Sequence, residues 1–323
     1  VYGCLLLLRK KGVDNMKISF STLACPLYSW ADIYSMAKDL GFDGIEVRGL
    51  GEDIFSVKAK PFTDEQLPQT INKLKQLGLE IPCLSTGIAL EDTARHDRCI
   101  YEIKEYCTLA EKLGTPYIRI LADSSPEPEN DVDDAAICAA LKALAETAEK
   151  YNVTLLVETN GAYADSARLK KILDEVASPY VAALWDMHHP YRYFGESAET
   201  TIANLGSYIK YVHVKDSIVK DGKIQYKMMG EGDMPLEDML GKLKTFGYDG
   251  YVSLEWVKRW ANDLSDAGIV FPHFANYMAK YRKKHKHSLQ DNNAHTGKYI
   301  WPKERLLDYT FADILDRVCE EFP

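Results

Sequence analysis

The feature that most constrains this chain is a long alternation of apolar runs with helix-period segments. From Met16 onward, short apolar or alternating runs fall at residues 17–25, 44–48, 81–86, 117–121, 154–158, 181–186, 209–215 and 251–255. Between them, apolar residues recur at helical spacing over 30–40, 64–77, 98–113, 134–151, 166–176, 198–205 and 236–246. Glycines 41, 78, 114, 206 and 247 follow helices where a left-handed cap is expected. Strands that alternate with helices pair in parallel, and eight such units close into a barrel. A doubly wound open sheet is the rival. It calls for a glycine-rich phosphate turn after the first strand, and Leu23-Ala24-Cys25-Pro26 is not one. The expected fold class is therefore α/β, a (β/α)8 TIM barrel over residues 16–281 with a short C-terminal extension.

The two ends do not follow the repeat. Residues 1–15 hold the run Cys4-Leu5-Leu6-Leu7-Leu8 ahead of Arg9-Lys10-Lys11, the reverse of a signal peptide's order. They read as a non-native or over-called N-terminal segment, with Met16 as the natural start. Phe274–Tyr281 reads as the last barrel helix. Residues 282–323 begin with a basic stretch, pass through a linker rich in Asn, Gly and Thr, and end in an amphipathic pattern over 311–322.

Charge and cysteine usage narrow the class. The formal net charge is −9, which disfavours a phosphate backbone, so no nucleic-acid partner is expected. Seven cysteines, with no Cys-x-x-Cys pair, read as free thiols in a reducing compartment, hence a cytoplasmic location. No apolar run approaches the roughly 18 residues of a membrane helix.

Four successive strand patterns end in a group able to bind a metal: Glu158, Asp186, His213 and Glu255. Parity along each strand puts Leu156, Glu158 and Asn160 on one face, Leu184 with Asp186, Tyr211 with His213 and Lys215, and Ser253 with Glu255. Strand C-termini converge on one mouth of a barrel. Three carboxylates gathered there repel one another unless a cation neutralises them. A lone Glu or His at a strand end is commonly a cap or surface group; four in succession at the last inward position are not. Oxygen-dominated ligands with one imidazole suit Mn²⁺, Mg²⁺ or Co²⁺, with Zn²⁺ also compatible, so one divalent metal ion is the expected cofactor.

Here a resemblance becomes specific. Val157-Glu158-Thr159-Asn160, Trp185-Asp186-Met187-His188-His189, His213-Val214-Lys215-Asp216 and Ser253-Leu254-Glu255-Trp256 resemble the xylose isomerase-like barrel family, as does Gly230-Glu231-Gly232-Asp233. The family includes sugar and sugar-phosphate isomerases and epimerases, ketose 3-epimerases and inosose dehydratase. The resemblance implies that Glu158, Asp186, His213 and Glu255 hold the metal. It also implies that His189 contacts substrate, His188 facing away from Asp186 if the strand continues. The family's epimerases usually carry an arginine a few residues past the metal-binding histidine, where this chain has Ser217, Ile218 and Val219.

The expected activity is a metal-dependent isomerase or epimerase acting on a small sugar, sugar phosphate or related polyol ketone through an enediolate. Glu158 and Glu255 are the proton-transfer pair. A dehydratase of the inosose type is the first alternative. The second is a metal-dependent apurinic-site endonuclease, which needs extra histidines on early strands; between Met16 and Asn152 only His96 occurs. A non-catalytic sugar-binding module should lack a complete ligand set. Lys215, Asn160, Arg48 and Arg119 are the further substrate-binding candidates, with Glu46, Arg48 and Arg119 equally readable as a buried salt-bridge layer. Trp30 and Trp260 could wall a sugar face, whereas Trp185 and Trp256 face the outer helices by parity. The partner is a small carbohydrate-like molecule, with no membrane, and a homo-oligomer stays open. Residues 303–323 resemble the opening of an adenylate-forming ligase domain, which would make the chain part of a longer fusion; a plain docking helix explains the same residues equally well.

Overall fold

A computed structural model describes residues 16–129 and 131–282. The expectations for residues 1–15 and for the tail beyond Arg282 lie outside the described residues.

Eight parallel strands form the barrel wall: β1 (Lys17–Ser21), β2 (Gly44–Glu46), β3 (Cys83–Ala89), β4 (Tyr117–Leu121), β5 (Thr154–Glu158), β6 (Val181–Asp186), β7 (Ile209–Val214) and, after a hairpin, β10 (Tyr251–Leu254). Their order around the sheet is β2-β1-β10-β7-β6-β5-β4-β3. The seam between β2 and β3 is closed by parallel bridges at Gly44–Glu80 and Val47–Leu84. There Ile45 N donates to Glu80 O at 2.9 Å and Ser85 N to Val47 O at 2.9 Å. The expected TIM barrel is the fold observed.

Between strands lie α1 (Trp30–Asp39), α2 (Leu67–Leu77), α3 (His96–Leu113), α4 (Asp134–Lys150), α5 (Ser166–Val176), α6 (His188–Phe194), α7 (Ala198–Leu205), α8 (Leu236–Phe246) and α9 (Ala267–Met278). Local chemistry sets their starts. Ser29 and Asp32 form a reciprocal capping box on α1, and Asp133, Asp165 and Ser197 each cap the first turn of the helix that follows. The main core lies between strands and helices, where Trp185 and Trp256 are buried. A second cluster of Cys83, Leu156, Ala182, Leu184, Tyr211 and Tyr251 fills the barrel interior.

Two local expectations need correction, and one element has no counterpart in the sequence pattern. The first strand ends at Ser21, and Thr22–Ala24 is a 3-10 turn capped by the Ser21 hydroxyl. The last barrel helix is Ala267–Met278, with Pro272 inside it, and starts well before Phe274. Its true start is marked by Asp266, whose carboxylate accepts from Gly268 N at 2.9 Å. The chain between β7 and α8 carries that added element. It holds the antiparallel hairpin β8 (Asp216–Lys220) and β9 (Lys223–Lys227).

Asp216 anchors that insertion. Its buried carboxylate accepts from Gly230 N at 2.8 Å, Gly232 N at 3.0 Å and Ser217 N at 2.8 Å. A Cβ on Gly232 would lie 2.0 Å from Asp216 Oδ1, so only glycine permits the close approach.

Candidate active site

The strand register gathers the inward-facing groups. Ser253 pairs with His213 across β10 and β7, and His213 pairs with Asp186 across β7 and β6. Glu158 lies opposite Leu184, two residues before Asp186, so the stagger of the barrel brings both carboxylates to the mouth. Glu158, Asp186 and His213 are fully buried, and Glu255 is 5% exposed. Each offers one ligand atom, and these atoms lie within 4.8 Å of one another. His213 Nδ1 is 3.6 Å from Glu158 Oε1 and 3.5 Å from Glu255 Oε1.

A set of supporting groups holds this cluster. Glu46 on β2 faces the other imidazole nitrogen: His213 Nε2 lies 2.9 Å from Glu46 Oε2. Ser253 Oγ donates to Glu46 Oε2 at 2.7 Å and Ser85 Oγ to Oε1 at 2.5 Å, so the carboxylate is fixed from three strands. A carboxylate behind a histidine sets which ring nitrogen is free, the arrangement found behind metal-binding histidines. Arg119 Nε bonds Glu158 Oε2, and its Nη1 donates to Thr86 O at 3.1 Å. Lys215 Nζ bonds Asp186 Oδ2 and lies 2.5 Å from Glu255 Oε2. Only 2% of Lys215 is exposed, so these ion pairs are not screened by solvent.

The proton affinities follow from this geometry. Burial pushes Glu158 up, but Arg119 and then His213 outweigh it and hold the carboxyl well below its usual range. Burial likewise opposes ionisation of Glu255, while Lys215 and His213 bring it down to about 2. Lys215 is held well above the usual lysine range: burial works against the charge, and Asp186 and Glu255 override it. His189 and His188 are both pushed down by burial and stay neutral.

The donor set fits a divalent ion. Glu158 Oε1 and His213 Nδ1 are buried without a hydrogen-bond partner. Such atoms are costly to leave unpaired, and both belong to the cluster. The charges point the same way. Glu46, Glu158, Asp186 and Glu255 are four buried carboxylates, and Arg119 and Lys215 are two buried cations. A divalent cation beside a neutral His213 would close that difference. Without the ion, burial works against a charge on His213, and Glu46 and Glu255 override it and raise its pKa well above the usual histidine range.

The remaining sequence candidates fall in different places. His189 is buried; its Nδ1 lies 3.0 Å from Thr159 O, and its Nε2 is 3.9 Å from Asp186 Oδ2. His188 does not face away, because β6 ends at Asp186 and the chain turns into α6. Its backbone N donates to Asp186 Oδ1 at 2.8 Å, and its ring joins Asp186 and His189 in a second possible metal-binding group. Asn160 spends its amide N–H groups on Asp123 O at 2.8 Å and Ser125 O at 2.9 Å, which ties down the loop after β4. Arg48 is half-buried, with its guanidinium 5.9 Å from the ring centre of Trp260. Trp30, the first residue of α1, packs against Phe62 and Tyr34. His96 meets Leu90 O at 2.9 Å at the start of α3 and joins no metal-binding group among the described residues.

Two residues near the site carry no sequence motif. Tyr226, on the hairpin, lies 5.8 Å from His188 between ring centres. Arg192, on α6, donates from Nε to Ser217 Oγ at 2.9 Å. A guanidinium thus reaches the Ser217 region from another element, although none follows His213 in sequence. A polar residue shortly after the strand that ends in Asp186 was the available signal.

Comparison with known proteins gives a consistent picture. Residues 35–271 match the family described as "Xylose isomerase-like TIM barrel". Fructoselysine 3-epimerase of Escherichia coli O157:H7 is 25% identical over 240 residues, covering 70% of this chain and 85% of that protein. The probable 3-DHS dehydratase of petrobactin synthesis from Bacillus anthracis superposes with a TM-score of 0.66 at 20% identity, over 81% of this chain and 98% of that one. The IOLI protein, solved with a bound zinc atom, gives a TM-score of 0.63 at 19% identity, over 82% of this chain and 98% of that one.

Proposed function

The chain belongs to the xylose isomerase-like TIM barrel family, and from that premise we propose that it is a divalent-metal-dependent epimerase or isomerase of a small sugar-like ketone. The observation that carries this reading is the convergence of Glu158 and Glu255 on His213 Nδ1, with Glu158 Oε1 and His213 Nδ1 left unpartnered. The similarity to a fructoselysine 3-epimerase supports it, and the zinc bound by the IOLI protein supports a metal in this fold.

Glu158, Asp186, His213 and Glu255 would hold the ion, which supplies Lewis-acid polarisation of the substrate carbonyl. The chain's own groups do the rest. Glu158 and Glu255 come from β5 and β10, which flank the β6–β7 pair in the sheet. Both are ionised at neutral pH, the state a proton acceptor needs. One takes the proton from the carbon beside the carbonyl. Donation to the opposite face by the other glutamate, once it has taken a proton from solvent, gives epimerisation. Return of the abstracted proton to the neighbouring carbon, with the hydroxyl proton passing to the former carbonyl oxygen, gives isomerisation. Glu46 fixes the His213 tautomer, Arg119 orients Glu158, and Lys215 sits where it can donate a hydrogen bond to a substrate oxygen. His189 presents Nε2 beside Asp186, a second neutral donor or acceptor for a hydroxyl.

One observation favours a dehydratase as the second reading. Lys215 Nζ stands 2.5 Å from Glu255 Oε2, so an N–H donor lies beside a proton acceptor, as departure of a β-hydroxyl requires. Solvent-deuterium wash-in over a panel of ketoses separates the cases. Incorporation at one carbon without loss of water supports the first reading, and net loss of water supports the second. Glu158→Gln and Glu255→Gln should each slow exchange by about 10²–10⁴-fold. Full exchange in both variants would remove the proton-transfer roles.

A further inference from the structure

Five described arginines besides Arg119 are partly buried: Arg48, Arg168, Arg192, Arg259 and Arg282. Arg119 pairs with Glu158, Arg168 with Asp134, Arg192 with Asp233 and Arg282 with Asp43. Arg48 and Arg259 are the exceptions. Among the described residues neither has a carboxylate within ion-pair distance. The two guanidinium groups are nonetheless gathered at one loop, residues 49–54, at the mouth of the barrel. Arg48 Nη1 reaches Ile54 O at 3.5 Å, and Arg259 Nη1 donates to Gly51 O at 2.9 Å. Arg259 Nε and Nη2 are buried with no partner at all.

Two like charges held together in a half-buried place, with most of their N–H groups unspent, are an unfavourable arrangement on their own. Burial, then Arg119 and to a lesser degree Arg259, push Arg48 down to about 10. Arg48 follows Glu46, the last residue of β2, whose carboxylate meets His213, so it stands at the same end of the barrel as the carboxylate cluster. Trp260, 57% exposed, lies against the Arg48 guanidinium and offers an apolar face next to it.

We propose that Arg48, backed by Arg259, forms an anion subsite at the mouth, so that the substrate is a ketose bearing a carboxylate or phosphate group away from its reacting carbons. This rests on the reading of the site as a proton-transfer centre for a sugar-like ketone. Arg48 is half-buried, so its free N–H groups can be reached and can grip two oxygens of one anionic group. Arg259, bonded to the same loop through Gly51 O, raises the local positive potential. Carboxylate and phosphate share this chemistry.

The test is calorimetric titration of the manganese-loaded full chain with fructose, fructuronate and fructose 6-phosphate, with deuterium wash-in measured on the same samples. At least one of the two anionic ketoses should bind about tenfold or more tightly than fructose. The better of the two identifies the anion. That preference should fall to within about twofold of unity in Arg48→Gln and shrink in Arg259→Gln, while Arg48→Lys, which keeps the charge without the fork, should keep part of it. Should Arg48→Gln fail to fold, Arg259→Gln and Arg48→Lys carry the same comparison. Equal binding of all three sugars, binding of none, or a preference that survives in the variants overturns the subsite. Exchange without an anion preference overturns this inference alone. An anion preference without exchange overturns the reaction and leaves the subsite standing.

Discussion

At the floor of the barrel, Lys17 Nζ pairs with Glu80 at 3.0 Å, and Tyr251 donates to the same carboxylate at 2.6 Å. At the mouth, Lys215 bridges Asp186 and Glu255. Both ends therefore hold a lysine paired with a carboxylate, one carboxylate at the floor and two at the mouth. Their surroundings differ. The Lys17 and Glu80 side chains are 40% and 58% exposed, whereas those of Lys215 and Asp186 are 2% and 0%. The floor opens into a cavity of about 480 Å³, also lined by Tyr117 and Lys210. Water there screens the pair, and no buried donor is left over. At the mouth the charges are dry, and the buried carboxylates outnumber Arg119 and Lys215. A charged pair in a barrel is thus not a sign of chemistry; desolvation together with unmatched donors is.

Three substitutions probe that contrast, from the largest effect to the smallest. Lys215→Met removes a buried cation from between two buried carboxylates. The metal-free chain should lose roughly 3–5 kcal/mol of stability, and added Mn²⁺ should restore much of it. Chemical denaturation with and without metal reads both. A variant as stable as the parent without metal would mean that the mouth is as well screened as the floor. Glu46→Gln leaves every proposed ligand in place but weakens the hold on His213 Nε2. Metal affinity should fall about 10–100-fold, measured by competition with a chelating dye. Lys17→Ala at the floor should cost less than about 1 kcal/mol and leave metal content unchanged. A larger loss would show that the floor pair is coupled to the mouth.

The part of this molecule that could be read from sequence is the part governed by local periodicity. Strand ends at Glu158, Asp186 and Glu255 were legible because parity and convergence both act within a few residues of each group. His213 followed by the same route. The role of Glu46 was not legible. It depends on Glu46 meeting His213 across the barrel, at a sequence separation of 167 residues, and nothing local distinguishes that from a salt-bridge layer. His188 was misplaced for a related reason: parity holds only while the strand continues, and β6 gives way to α6 at that point. The hairpin at 216–227 escaped because its strands show mixed burial, and what fixes it is Asp216 reaching the backbone of Gly230 and Gly232. Asn160 shares a face with Glu158 as expected, yet its side chain is spent on a neighbouring loop. Facing the mouth and being free to act there are separate properties.

The central claim is that Glu158, Asp186, His213 and Glu255 form one site for one divalent ion. Manganese stoichiometry by elemental analysis after dialysis tests it most directly, on the full chain and on Asp186→Asn and His213→Gln. The expected result is one equivalent per chain in the parent and a near-complete loss in both variants, with the Lys17→Ala chain unchanged. A parent chain that retains no divalent ion, or variants that retain a full equivalent, would contradict it.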